Sequence, residues 1–136
     1  MTAIPPVPDQ TDQYFWNGVG EHRLLIQRCT GCATLRLPPV PMCGVCHALT
    51  WDTVEAVGRG TIYSWLLSRP PGDSAESARV VILVQLAEGP RVVSNLVSAD
   101  PDGSVDLSAI ANDMPVQLCF REIDGVLLPL FHAVSR

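Results

Sequence analysis

Four cysteines fall in two pairs, Cys29-Thr30-Gly31-Cys32 and Cys43-Gly44-Val45-Cys46, with ten residues between the pairs. A two-residue spacer lets two thiolates of one tight turn converge on a single ion. Two such turns supply the four soft ligands of a closed tetrahedral site. Gly31 and Gly44 are expected to give each turn its positive φ and a close approach of backbone to sulfur. A redox pair with the same spacing opens a helix, and Pro38, Pro39 and Pro41 in the gap forbid one. The spacing therefore predicts a ribbon around a structural metal, zinc first, with iron as the alternative. Four cysteine ligands leave no position for a water, so the ion is expected to contribute folding free energy and not catalysis.

His47 follows the last ligand and reads as a solvent-facing residue of the second turn. The fifth cysteine, Cys119, sits in the alternating run 116–120 and reads as a small core residue. An odd cysteine count and the absence of a basic, then apolar, leader predict a reducing, cytoplasmic setting. No apolar run approaches the eighteen or so residues of a membrane span. All nine basic residues are arginine, and fourteen acidic ones give a net charge of −5. A protein that tracks a phosphate backbone normally carries a basic face, so nucleic acid is disfavoured.

The remainder predicts a mainly β chain. An N-terminal helical segment capped by Thr11 carries Tyr14, Phe15 and Trp16, which either cover the chain itself or dock on a partner. Residues 53–68 read as one long strand bent at Gly58-Arg59-Gly60. A loop at 69–78 leads to an almost wholly apolar second strand at 79–86, expected to be buried on both sides. A third strand at 91–97 follows, then a short helix at 106–111 capped by Asp106. Strands at 115–123 and 127–134 are joined by Asp124-Gly125, a hairpin turn signal. The expected organisation is a tail and helix over 1–28, a rubredoxin-like zinc ribbon over 29–50, and a five-stranded OB-fold barrel over 51–136.

Catalytic signals are missing. There is no glycine-rich phosphate loop, no nucleophile elbow and no paired-histidine metal helix. None of His22, His47 and His132 lies beside an obvious nucleophile in sequence. No catalytic residue is assigned to this chain.

The order Phe15-Trp16, Leu24-Leu25-Ile26-Gln27-Arg28-Cys29-x-x-Cys32, Leu37-Pro38-Pro39, Cys43-x-x-Cys46, Gly58-Arg59-Gly60-Thr61-Ile62-Tyr63-Ser64, Gly89-Pro90-Arg91 and Leu130-Phe131 resembles the rubredoxin-like zinc-ribbon plus OB-fold family catalogued as domain of unknown function thirty-five. The likeness runs from about residue 12 to 134. One departure is Asp113, where the family usually has glycine before Met-Pro-Val. The resemblance implies an accessory subunit that pairs with thiolase-like, sterol-carrier-type proteins, sometimes with a hydratase-fold protein, in a hetero-oligomer acting on acyl-CoA thioesters. In steroid side-chain degradation such a complex is a retro-aldolase, a carbon–carbon lyase releasing a short acyl-CoA such as propionyl-CoA. In archaeal relatives a similar subunit bridges a thiolase and hydroxymethylglutaryl-CoA synthase.

Given an acyl-CoA ligand, Arg36, Arg59, Arg69, Arg79 and Arg91 are candidates for its phosphates, because guanidinium matches phosphate in a two-pronged fork. Arg59, between the two motif glycines, is the first choice. The ribbon, the N-terminal aromatics with Trp51 and Trp65, and one barrel face are the expected docking elements. Two other classes remain. A nucleic-acid-binding ribbon and barrel would need aromatics flanked by basic residues on the second and third barrel strands. A rubredoxin-like electron carrier would need iron.

Overall fold

Residues 3–69 and 78–134 are described by the structure, a computed structural model. The first regular element is helix α1 (Gln13–Gly20), which buries Phe15, Gly18 and Val19. Thr11 is not its cap. Asp12 occupies the cap position without a side-chain bond to the helix. Asp9 and Asp12 instead brace each other, since Asp9 Oδ1 accepts the amides of Thr11 (2.8 Å) and Asp12 (3.1 Å) while Asp12 Oδ1 accepts that of Asp9 (2.8 Å). These carboxylates order the turn that leads into the helix and leave the helix itself without a side-chain cap.

Strand β1 (Leu25–Cys29) is the middle of a three-stranded antiparallel sheet, flanked by β2 (Leu35–Arg36) and β3 (Trp51–Glu55). The expected single strand over 53–68 is therefore two strands in two sheets. Residues 53–55 belong to the ribbon sheet, and the barrel begins at Arg59. The alternation of side chains continues through the break, which is why the pattern hides it. Two glycines make the junction. Gly58 has φ +88°, and a Cβ on Gly60 would lie 2.6 Å from both the Gln85 carbonyl oxygen and a Val84 methyl. The motif glycines are thus explained by backbone geometry.

The barrel comprises β4 (Arg59–Ser68), β5 (Arg79–Leu86), β6 (Arg91–Val97), β7 (Pro115–Ile123) and β8 (Val126–Ala133), closed in the order β4-β5-β6-β8-β7. β6 and β8 run parallel, and β7 returns to pair with β4. This is the Greek-key order of an OB-fold, as the sequence predicts. A bulge interrupts the β4–β5 register between Ile62 and Ser64. Asp124 (φ 51°) and Gly125 (φ 79°) form the expected two-residue hairpin turn. The helix expected over 106–111 is a single 3-10 turn, Leu107–Ala109, with Asp106 Oδ1 accepting the Ser108 amide at 3.0 Å. Of the expected loop at 69–78, residues 70–77 lie outside the described residues.

β5 differs from its expectation in a telling way. Val80, Ile82, Val84 and Leu86 are buried, but the alternate residues are only half-buried. Its apolar run is not enclosed on both sides. The buried residues of helix, ribbon and barrel form one cluster, in which Phe15, Val19, Leu24 and Ile26 meet Ile62, Ile82, Val84, Val116 and Phe131. Among the described residues, no helix is long and apolar enough to cross a membrane.

Candidate metal centre

The two cysteine turns are built alike. In each, the first cysteine (Cys29, Cys43) is buried and the second (Cys32, Cys46) is exposed. The Gly31 amide donates to Cys29 Sγ at 3.3 Å, and the Val45 amide donates to Cys43 Sγ at 3.4 Å. Each turn closes with a backbone bond, Ala33 N–H to the Cys29 carbonyl (2.9 Å) and His47 N–H to the Cys43 carbonyl (3.0 Å). The left-handed residues are Ala33 (φ 64°) and His47 (φ 64°), one step past each second cysteine. The expectation of positive φ at Gly31 and Gly44 is thus corrected. Gly31 serves instead by its lack of a side chain, because a Cβ there would stand 3.2 Å from Cys46 Sγ, whereas one on Gly44 would meet nothing within 4 Å.

The four sulfurs all lie within 4.8 Å of one another. Cys29 and Cys46 are 3.4 Å apart, and Cys32 and Cys43 are 3.6 Å apart. Four thiolates about 2.3 Å from a tetrahedral zinc are separated by about 3.8 Å, so this donor set fits such an ion. The electrostatics suit thiolates as well. Backbone amides of Cys46 and Val45 pull the Cys43 thiol down to about 6, and the Cys32 amide acts first in lowering Cys29. The Ala48 amide favours a Cys46 thiolate, but the neighbouring sulfurs of Cys29, Cys32 and Cys43 outweigh it and push Cys46 up to about 11. Crowded sulfurs that cannot all ionise unaided are what a divalent cation relieves. His47 is exposed and stands outside the sulfur cluster, as expected.

A polar contact that the sequence reading passed over supports the ribbon. Gln27 is wholly buried, and its Oε1 accepts from both Arg36 Nε and the Val40 amide at 2.9 Å. This ties the proline-bearing return between the cysteine pairs to the central strand. Its only signal was position, on a strand beside Cys29. The Tyr14 ring packs on Trp51 at 4.7 Å, and burial pushes its hydroxyl up to about 12. Phe15 is buried as well, so these two aromatics cover the chain itself. Cys119 is half-buried and its thiol is raised by burial, which suits packing and not nucleophilic chemistry.

The candidate arginines do not converge. Arg59 and Arg91 lie at one end of the barrel, where the Ala87 amide meets the Arg59 carbonyl and Gln85 pairs with Arg91. Arg69 follows Ser68, which pairs with Arg79 nine residues further along β4, roughly 25–30 Å away. Arg36 is held by Gln27 and the Val40 carbonyl. Arg91 donates to Gln85 and covers the Tyr63 ring at 3.7 Å. Arg59 is exposed, and among the described residues its side chain has no partner. None of the three histidines bonds a hydroxyl, thiol or carboxylate side chain among the described residues. The His22 ring packs tilted against Phe120, and His132 Nδ1 lies near the Ala133 carbonyl.

Two family models match in tandem. One is described as the rubredoxin-like zinc ribbon domain of ChsH2, over residues 16–52, and the other as the ChsH2 C-terminal OB-fold domain, over residues 53–121. A probable enoyl-CoA hydratase alpha subunit of Thermomonospora curvata is 44% identical over 133 residues, covering 95% of this chain and 40% of that protein. The 3-oxo-4,17-pregnadiene-20-carboxyl-CoA hydratase alpha subunit of Mycobacterium tuberculosis is 34% identical over 116 residues, covering 85% of this chain and 35% of that protein. The chain thus spans two fifths or less of these relatives. A solved structure described as the Ltp2-ChsH2(DUF35) aldolase contains a chain 40% identical to this one, with a TM-score of 0.81, covering 96% of this chain and 99% of that one.

Proposed function

Since this chain belongs to the ChsH2 (DUF35) family of joined zinc-ribbon and OB-fold domains, we propose that it is a non-catalytic subunit that docks on a thiolase-like protein to form an aldolase acting on acyl-CoA thioesters. The observation that carries the reading is the near-complete match to the ChsH2(DUF35)-type chain of the Ltp2-ChsH2(DUF35) aldolase. The finer reading is a retro-aldolase of steroid side-chain degradation, supported by the pregnadiene-carboxyl-CoA hydratase subunit among its relatives.

Such a cleavage removes the proton of a β-hydroxyl, breaks the bond between the α and β carbons, and returns a proton to the α carbon. The β carbon leaves as a ketone and the α carbon as a shorter acyl-CoA. No electron enters or leaves, so no redox partner is required. The base and acid are assigned to the partner, because the histidines here are engaged in packing or lie apart.

Cys29, Cys32, Cys43 and Cys46 would hold zinc, which when bound supplies folding free energy to the ribbon. Arg59, exposed and unengaged, would contact a phosphate of the CoA moiety. The test is reconstitution, with acyl-CoA cleavage measured for the thiolase-like protein alone, this chain alone and the mixture. Cleavage confined to the mixture supports the proposal. Full cleavage by the thiolase-like protein alone overturns it.

A further inference from the structure

We propose that the outward face of β4, β5 and β6 is the seat of the thiolase-like subunit, an inference that rests on the accessory-subunit reading and names its interface. Residues 60–68, 80–86 and 92–97 of these neighbouring strands contain no Asp, Glu, Arg or Lys, in a chain with twenty-three such residues. Where an antiparallel sheet faces water its outward positions are normally polar. Here the register sets Leu66 opposite Val81, and Ser64 opposite Leu83, which in turn opposes Val93. Directly opposed residues project from the same face. Val93 is 69% exposed and Leu66 55%, while Val81 and Leu83 are half-buried.

This face continues onto the ribbon. Leu83 and Val93 also line a groove of about 430 Å³ that Phe15, Trp16 and the Leu37–Pro39 segment line as well, together with the charged Asp12 and Arg91. Helix, ribbon and barrel therefore contribute to one apolar surface. Its polar groups make few demands. Asn95 Nδ2 already donates to the Val80 carbonyl at 3.2 Å, and Arg91 at the border is occupied by Tyr63 and Gln85. An incoming surface that is itself apolar fits the strand residues of this face, where no charged side chain stands.

Two observations choose a different protein over a second copy. Each copy carries a net charge of −5, which opposes pairing of like with like. The similar chain of the solved aldolase belongs to an assembly whose description joins two proteins, Ltp2 and ChsH2(DUF35). Continuous exposed apolar surface of this kind is a mark of protein interfaces.

The experiment measures affinity of the zinc-loaded chain for the thiolase-like protein by calorimetry, with sedimentation of each chain alone. Val93→Glu and Leu66→Glu, both at exposed positions, are each expected to weaken binding at least tenfold while leaving melting temperature and zinc content unchanged. Leu49→Glu, on the exposed cysteine-turn side, is expected to bind as the unmodified chain does. Tight binding by both strand variants, or loss confined to Leu49→Glu, overturns the assignment of this face. Self-association of the unmodified chain that Val93→Glu abolishes also overturns it, in favour of a second copy. Failure of the unmodified chain to bind at all refutes the accessory-subunit reading itself.

Discussion

Arg28 holds Asp52 with both arms of its guanidinium, Nε to Oδ1 and Nη2 to Oδ2, each at 2.8 Å. The two residues are direct cross-strand partners on β1 and β3. The grip lies one step from Cys29, whose own cross-strand partner is Trp51, so it fixes the sheet that presents the first metal ligand. The bidentate geometry is the strong form of such a pair, although both side chains remain partly open to water.

Hydrogen bonding from Arg28 lowers the Asp52 carboxyl below its ordinary value. A depressed carboxylate contributes stability that is fully present above the unfolded value near 4 and is lost as pH falls through the lower folded value. Asp52→Asn should therefore be less stable than the unmodified chain at neutral pH, with the difference shrinking as pH drops below about 4. Urea melts at neutral and acidic pH check this. A difference independent of pH would show that the pair contributes nothing through charge.

The two cysteine-turn glycines should respond differently to alanine. Gly31→Ala places a methyl 3.2 Å from Cys46 Sγ and should weaken metal binding roughly tenfold, the scale at which surroundings of a ligand set act. Gly44→Ala meets nothing within 4 Å and should leave affinity unchanged. Competition with a chromophoric chelator reads both. Equal affinities would mean that the sulfurs sit elsewhere in solution.

Asp113 has φ 65°, with its amide donating to the Ile62 carbonyl at 2.7 Å. Aspartate tolerates the left-handed region better than most residues, and a β-branched one does not. Asp113→Val should cost about 1–2 kcal/mol, whereas Asp113→Gly should be neutral or stabilising by up to about 1 kcal/mol. Thermal melts of the pair decide. Equal melting temperatures would place residue 113 outside the left-handed region.

Arg59→Ala should lower the affinity of the complex for an acyl-CoA ester roughly tenfold, the order expected for one charge-assisted hydrogen bond lost. The melting temperature should not move, because the side chain has no partner among the described residues. Arg91→Ala, by contrast, removes the Gln85 and Tyr63 contacts and should show in stability. Unchanged ester affinity in Arg59→Ala would remove phosphate binding from its role.

What the sequence disclosed followed the range of the forces involved. The metal ligands were legible because each pair is a local turn and thiolate chemistry admits few uses. The barrel was legible because five strands with a short helical turn between the third and fourth match the OB-fold pattern, although only its hairpins, such as that at Asp124-Gly125, are local signals. The break between β3 and β4 was not, since a period of two survives the passage from one sheet to the other. The left-handed positions were misassigned to glycines because Ala33 and His47 adopt that conformation under the compulsion of the closing bonds to Cys29 and Cys43. β5 read as doubly buried because Val81 and Leu83 on its outward side are as apolar as its inward residues. The clamp of Arg36 and Val40 on Gln27 depends on contacts across nine and thirteen residues and left no pattern to find.

Phe15, Val19, Leu24 and Ile26 share their packing with Ile62, Val84 and Phe131. An excised barrel would thus uncover its own floor, and an excised ribbon its lid. Heat should melt the pair in a single cooperative step, and any rearrangement of genes that retains function must move both halves together. The larger relatives match 95% and 85% of this chain over two fifths or less of their own length, so each match reaches into both halves.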